Sequence, residues 1–407
     1  MPPLAPSEAR RRILDSIEPV VETEQLTLSQ ALHRVLAESI SAAVDVPAAT
    51  NASMDGYGYA SRDVDRPSAR LYVAGQSLAG HPYDQRLEPG QCVRITTGAV
   101  VPSGVDTVVM QENTTRDGNH VVIDQPAAHG ANIRPAGEDL RRGDQVLKAG
   151  SYLRAADIAV LASVGLSEVR VRRRPRVAFF STGDELRPID GPLAPGEIYD
   201  SNRYGLAAQL ETLGMEGVNL GAIGDSREAL ARAFERAADC DALITSGGVS
   251  VGDADWVVDM LRELGQIEFW RVAIKPGKPL AFGKIGRTRF FGLPGNPVST
   301  AVTFIQLVRP ALVRLAGGSP ARPIRLTLPT ATRLSKRPGR EHYLRARLDF
   351  ETTPARVVAI DHQGSGVMRS MSQADAFIVL PVEQGDVDAG ATVVVEPFAQ
   401  TIWAHTG

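Results

Sequence analysis

From Arg176 onward the chain alternates short apolar runs with helical repeats, and this alternation restricts the fold more than any other feature of the sequence. VAFFST is followed by Leu206, Leu210 and Leu213 at helical spacing, VNLGAIGD by Leu230, Phe234 and Ala237, and DALITSGG by Val257, Met260, Leu261 and Leu264. Strands linked through helices return in the same direction, so a mostly parallel sheet covered by helices is expected. Apolar runs at 269–274, 279–282 and 289–293 extend it. A helix then begins at Asn296-Pro297, with Asn as N-cap and Pro as first helical residue, and Pro310 should kink or break it.

A chain of 407 residues exceeds one core, so several domains are expected. Residues 7–17 read as a helix, and Leu28, Ala31, Leu32, Val35 and Leu36 repeat the helical spacing in a second one. Past Pro47 the pattern changes to short strands between Gly, Pro, Asn and Asp, until Ala155 to Val164 returns to helix. Short strands resume after 320. The expected fold class is α/β plus β, multidomain: a small β domain, then a mostly parallel α/β sheet domain, then a C-terminal β domain.

Composition excludes several functions. With 44 basic and 47 acidic residues and a net charge of −3, the chain has no polyanion footprint, so nucleic acid is not an expected partner. The dense basic run Arg170 to Arg176 leads into an apolar strand and reads as a solvated strand or domain junction. Two cysteines far apart, Cys92 and Cys240, rule out a disulfide framework and a cysteine-rich zinc site; a cytoplasmic location is expected. No leader or membrane-spanning run is expected. The seven histidines, His33, His81, His120, His129, His342, His362 and His405, show no metal-ligand spacing and read as surface residues.

In a parallel sheet, ligands bind outside the carboxyl ends of the strands. Those ends carry Ser181-Thr182-Gly183-Asp184-Glu185, then Gly224-Asp225, then Ser246-Gly247-Gly248 with Asp253 and Asp255, then Lys275-Pro276-Gly277-Lys278-Pro279, and finally Pro294-Gly295-Asn296-Pro297. Any one acidic residue here reads equally well as a helix cap, and Asp225-Ser226-Arg227-Glu228 looks like a capping box. Five strand ends together argue for more. Glycine turns and lysines suit phosphate or another oxyanion, and carboxylates suit magnesium, so a magnesium-bound phosphorylated substrate is expected.

NASMDGY at 51–57, TTGAVVP at 96–102, Gly137-Glu138-Asp139, STGDEL, TSGGVSVGDAD, KPGKP and GLPGNPVS occur in that order along nearly the whole chain. The set resembles the molybdopterin molybdenumtransferase family, to which MoeA and the gephyrin E domain belong. The resemblance implies an Mg2+-dependent transferase that inserts molybdate into adenylated molybdopterin and releases molybdenum cofactor and AMP. It further implies four domains, an α/β domain (7–26 and 176–320), an extended linker domain (27–45 and 147–175), a small β domain (46–146) and a C-terminal β domain (321–407), and a homodimer with a site shared between the α/β domain of one subunit and the small β domain of the other. A preceding molybdopterin adenylyltransferase and molybdenum-enzyme maturation factors are the expected partners.

Carried over by motif, Asp55, Asp139, Glu185, Asp225 and Asp255 match the family's acidic catalytic positions, with Glu185, Asp225 and Asp255 implied as metal ligands. Thr97, Ser246, Gly247, Gly248, Lys275, Lys278, Pro294 and Pro297 are implied at the substrate or oxyanion, and Arg345 and Ser370 as further oxyanion contacts. Asp253 receives no role. A molybdopterin adenylyltransferase-type nucleotide enzyme and a non-catalytic cofactor-binding scaffold are the alternatives.

Overall fold

The computed structural model describes residues 3–224, 226–248, 260, 263 and 265–398. The chain forms two compact units, one of Met1–Glu24 with Arg172–Gly407 and one of Gln25–Val171.

The first unit is built on a six-stranded sheet ordered Glu216–Ile223, Arg176–Thr182, Ala242–Ser246, Thr288–Leu293, Pro279–Ile285, Gly265–Arg271. The first four strands run parallel, as the alternation predicts, and the last two add antiparallel. Ala178, Phe180, Leu243 and Phe290 pack one face against Leu230, Ala233, Phe234 and Ala237 of helix Arg227–Ala237. Ser226 caps that helix, its Oγ accepting Ala229 N–H at 3.3 Å. Because Ala229 stands third in the helix, the expected capping box lacks its carboxylate. Helix Ser201–Thr212 buries Leu206 and Leu210 and is capped by Asp200.

The helix at Asn296-Pro297 starts as expected and also shows how Pro310 is accommodated. Pro297–Thr303 is α-helical, Phe304–Val308 widens into one π turn, and Arg309–Leu315 resumes the α-helix. Pro310 has no N–H to offer one turn back. Arg10 supplies one instead, its Nε donating to Gln306 O at 3.0 Å and its Nη2 to Gln306 Oε1 at 2.7 Å. Arg10 lies on helix Pro6–Ser16, which buries Ala9 and Ile13. By length and hydropathy Pro297–Leu315 would span a bilayer, contrary to the expectation that no run does so, but 72% of it is buried in this unit. It is a core helix.

A second sheet in the same unit is ordered Ile274–Lys275, Glu341–Asp349, Ala376–Leu380, Thr392–Pro397, Leu326–Pro329, with Arg356–Ala359 on Glu341–Asp349. Leu334, Ala346, Val357, Ile378 and Val395 form its core. Its first strand belongs to the KPGKP segment, and Lys275 pairs with His342. This pairing carries the lysine segment to the second sheet.

The second unit holds a six-stranded sheet ordered Thr107–Met110, Gly56–Tyr59, Gln91–Ile95, Ala69–Ser77, His120–Ile123, Thr114–Asp117, with Tyr57, Tyr59, Leu71, Val109 and Val121 buried. Helix Ala155–Ser163 forms as expected. The second predicted helix, at Leu28 to Leu36, does not form. His33 takes φ +63°, incompatible with a right-handed helix, and Val35 and Leu36 bridge to Tyr152 and Val171. Thr27 Oγ1 bonds Gln30 Oε1 at 2.9 Å, a local side-chain bond that favours a turn. The apolar spacing instead buries Ala31 and Leu36 against Leu153, Leu161 and Val171.

Candidate functional site

Register places the carboxyl ends of three central strands at one level, with Ser181 beside Ser246 and Ser246 beside Leu293. Beyond them opens a cavity of about 1030 Å³. Glu185, Ser246, Gly247, Gly248, Lys275, Lys278, Pro294 and Pro297 all line it, so the residues predicted at four strand ends share one space. At the fifth end Gly224 is not part of the lining, and Asp225 lies outside the described residues, as do Asp253 and Asp255.

The floor is tied together by short contacts. Gly247 has φ +94°, and a Cβ there would stand 2.5 Å from Thr182 O, so the turn requires glycine twice over. Gly247 N–H donates to Leu293 O at 3.1 Å, and Thr300 Oγ1 to Pro294 O at 2.6 Å. Gly277, between the two lysines, has φ +114°, and a Cβ would meet Thr303 Oγ1 at 2.5 Å. The KPGKP turn therefore rests directly on the helix that begins at Pro297.

Charge is unevenly distributed around this floor. Lys275 and Lys278 are exposed, and among the described residues neither ammonium pairs with a carboxylate. Asp200 also lines the cavity; it is 1% exposed and is held by Arg203 Nε at 2.8 Å. Glu185 is exposed at the edge, its carboxylate folded toward Gly183. Among the described residues no group of three or more His, Cys, Asp or Glu side chains is placed to hold a metal ion. One exposed carboxylate still fits magnesium, which takes one or two protein carboxylates and completes its shell with phosphate oxygens and water.

Arg345 and Ser370 come together as predicted, with Arg345 Nε donating to Ser370 Oγ at 3.0 Å. Arg345 Nη2 also donates to the carbonyls of His362 and Gly364, at 3.3 and 3.2 Å, and Gln363 and Gly364 form part of the cavity wall. Burial pushes the guanidinium down to about 10. Arg345 also borders a smaller cavity of about 300 Å³ with Lys275, Arg333 and His342. His342 corrects the expectation of surface histidines. It is 4% exposed, its Nδ1 has no partner among the described residues, and burial, with Lys275, Lys336 and Arg340 nearby, pushes it down to about 4.

Asp55, Thr97 and Asp139 belong to the other unit. Asp55 Oδ1 accepts Thr97 N–H at 2.7 Å and Thr97 Oγ1–H at 2.9 Å, and these bonds hold its carboxyl below the usual range. Asp139 is exposed, and its N–H donates to Val46 O at 3.0 Å.

Sequence reasoning missed Asn202 and Asp200 in the cavity wall and Gln363 behind it. Asp200 carries one local signal, its position as N-cap of helix Ser201–Thr212. Asn202 and Gln363 gave no signal, because their importance comes from neighbours distant in sequence.

Three comparisons bear on this geometry. Residues 4–165 match the family described as MoeA N-terminal region (domain I and II), 178–314 the probable molybdopterin binding domain, and 327–398 the MoeA C-terminal region (domain IV). A molybdopterin molybdenumtransferase of Haemophilus influenzae is 41% identical over 96% of this chain and 98% of its own length. One from a Nostoc species is 38% identical over 92% of this chain and 88% of its own. A crystal structure of a molybdopterin biosynthesis MoeA protein from Pyrococcus horikoshii, 26% identical, superposes with a TM-score of 0.84 over 97% of this chain and 100% of that one.

Proposed function

Because this chain belongs to the molybdopterin molybdenumtransferase family, we propose that its large cavity inserts molybdate into adenylated molybdopterin, with release of molybdenum cofactor and AMP. The observation that carries this reading is the pair of lysines, Lys275 and Lys278, that have no carboxylate partner among the described residues and face the same space as the Ser246-Gly247-Gly248 turn. Molybdate is a tetrahedral dianion, and the two ammonium groups hold it by charge on a turn whose backbone is fixed by Gly277 and its flanking prolines. The glycine turn opposite supplies a close backbone approach for the phosphate of the nucleotide-linked substrate.

Bound magnesium would supply positive charge to the phosphate oxygens of the substrate. Glu185 is its described candidate ligand, and Asp225 and Asp255 are proposed alongside it. Asp200 is a poor choice because Arg203 already holds its carboxylate. Buried Arg345, held by Ser370, fixes the Gln363-Gly364 wall and borders the smaller basic cavity, which suits a further oxyanion contact beside Lys275. We further propose a cytoplasmic homodimer in which Asp55, Thr97 and Asp139 of a second copy complete the site. An adenylyltransferase supplies its substrate, and maturation factors receive its product.

The test is turnover of adenylated molybdopterin with molybdate and magnesium, following AMP and cofactor together. Stoichiometric AMP and cofactor are expected. Pyrophosphate release would indicate an adenylyltransferase, and binding without release a scaffold.

A further inference from the structure

Ser181, one residue before the end of strand Arg176–Thr182, and Ser246, at the end of the adjacent parallel strand, pair directly in register, so their side chains leave the same face of the sheet about 4.8 Å apart. Both line the cavity, and they are 1% and 2% exposed. Ser181 Oγ has no hydrogen-bond partner among the described residues. A hydroxyl hidden from water without a partner is unfavourable, and a core position would accept alanine instead.

Asn202 settles the state of the second hydroxyl. Its Nδ2 lies 2.6 Å from Gly295 O and 2.7 Å from Ser246 Oγ. A carbonyl can only accept, so the atom facing Gly295 must be the amide nitrogen, and its other hydrogen goes to Ser246. Ser246 Oγ therefore accepts from Asn202, and its own hydrogen has no acceptor among the described residues. Two buried hydroxyls thus stand side by side in the cavity floor with hydrogens to donate.

A helix begins beside them. Ser201 and Asn202 open the twelve-residue helix Ser201–Thr212 at the cavity wall; Asp200 Oδ1 caps Arg203 N–H at 3.2 Å, while the N–H groups of Ser201 and Asn202 lack intrahelical acceptors. The nearby Asp200 carboxylate is matched by Arg203. Two hydroxyl donors beside a helix N-terminus and a glycine turn suit an anionic oxygen, not a ring carbonyl.

We propose that Ser181 and Ser246 donate to a phosphoryl oxygen of the nucleotide-linked substrate and that Asn202 is the positioning residue that fixes the Ser246 hydroxyl. The proposal rests on the functional reading above and assigns its phosphate to this floor, leaving Lys275 and Lys278 for molybdate.

The test uses the full chain. AMP is titrated by calorimetry, and KM is measured separately for adenylated molybdopterin and for molybdate, with thermal melting as a control. Ser181→Ala is expected to weaken AMP binding and raise KM for the adenylated substrate about tenfold, with KM for molybdate unchanged and a melting temperature equal or higher. Asn202→Ala should act in the same direction, and Asn202→Gln, which keeps the amide, should recover part of the loss. An undiminished AMP affinity in Ser181→Ala overturns the proposal, and so does a rise in KM for molybdate instead. If the unaltered protein itself fails to bind AMP, the functional reading falls and this assignment with it.

Discussion

The cavity floor and the Asp55–Thr97 turn achieve order in opposite ways. In the floor, residues from 181 to 365 are locked by contacts between distant segments: Gly247 on Leu293, Asn202 on Gly295, Val298 on Ser365. At Asp55, one exposed carboxylate is held by the N–H and hydroxyl of a single threonine. The floor is a preorganised receptor whose groups were desolvated when the unit folded. The Asp55 turn keeps its carboxylate in water, free to meet a group brought to it, which suits a contribution across subunits. The contrast predicts that breaking the backbone contacts that lock the floor, as at Gly247, costs stability and activity together, whereas damage at Asp55 costs activity alone.

The strongest attempt to break that contrast removes the floor's cations. Lys275→Ala with Lys278→Ala should lower turnover at low molybdate by about 100-fold or more, with rate lost at saturation as well. Wild-type rates across low molybdate would show that the lysines do not hold the oxyanion. Mixing this variant with Asp55→Asn should restore part of the activity if the two regions meet across a dimer.

Gly247→Ala tests preorganisation directly. A methyl group 2.5 Å from Thr182 O at a positive φ should cost about 2–3 kcal/mol and lower the melting temperature by several degrees, with loss of AMP binding. A melting temperature equal to wild type would mean that the floor can deform.

His342 sharpens the comparison through pH. Its folded value lies below its unfolded one, so the unfolded chain binds the extra proton between pH 6.5 and about 4. Stability should be unaffected above pH 6.5 and fall as pH drops toward 4, by on the order of 2 kcal/mol. Melting curves of His342→Gln should be flatter over that window. The smallest structural effect belongs to Asp55→Asn. The Asp55 carboxyl is also depressed, so its contribution is present above about pH 4, its unfolded value, and is lost as pH falls through the lower folded value. Being exposed, it should leave the melting temperature at pH 7 nearly unchanged while turnover falls.

Legibility in the sequence followed the range of the interactions. The parallel sheet was readable because each strand and helix carries its own periodicity, and the strand-end rim followed from topology. The helix expected at Leu28 to Leu36 failed because its apolar spacing satisfied packing against Leu153 and Val171, and His33 took a left-handed conformation. His342 was unreadable as a buried group because its burial comes from a sheet assembled with Lys275, 67 positions earlier in the chain. Asn202 belongs to the same class, since Ser246 and Gly295 are 44 and 93 residues away.

The π turn at Phe304–Val308 has a consequence for the timing of synthesis. Gln306 receives Arg10 through both its carbonyl and its side chain, and its Nε2 donates to Glu396 Oε2 at 3.1 Å. Once synthesised, helix Pro6–Ser16 must therefore wait for a partner 296 residues behind it, on the order of tens of seconds at ordinary elongation rates. The closing strand follows later still. The Gln25–Val171 unit has all its residues in that interval, so it can fold while Ala9 and Ile13 remain uncovered. The amino-terminal helix is thus a long-held apolar surface during translation.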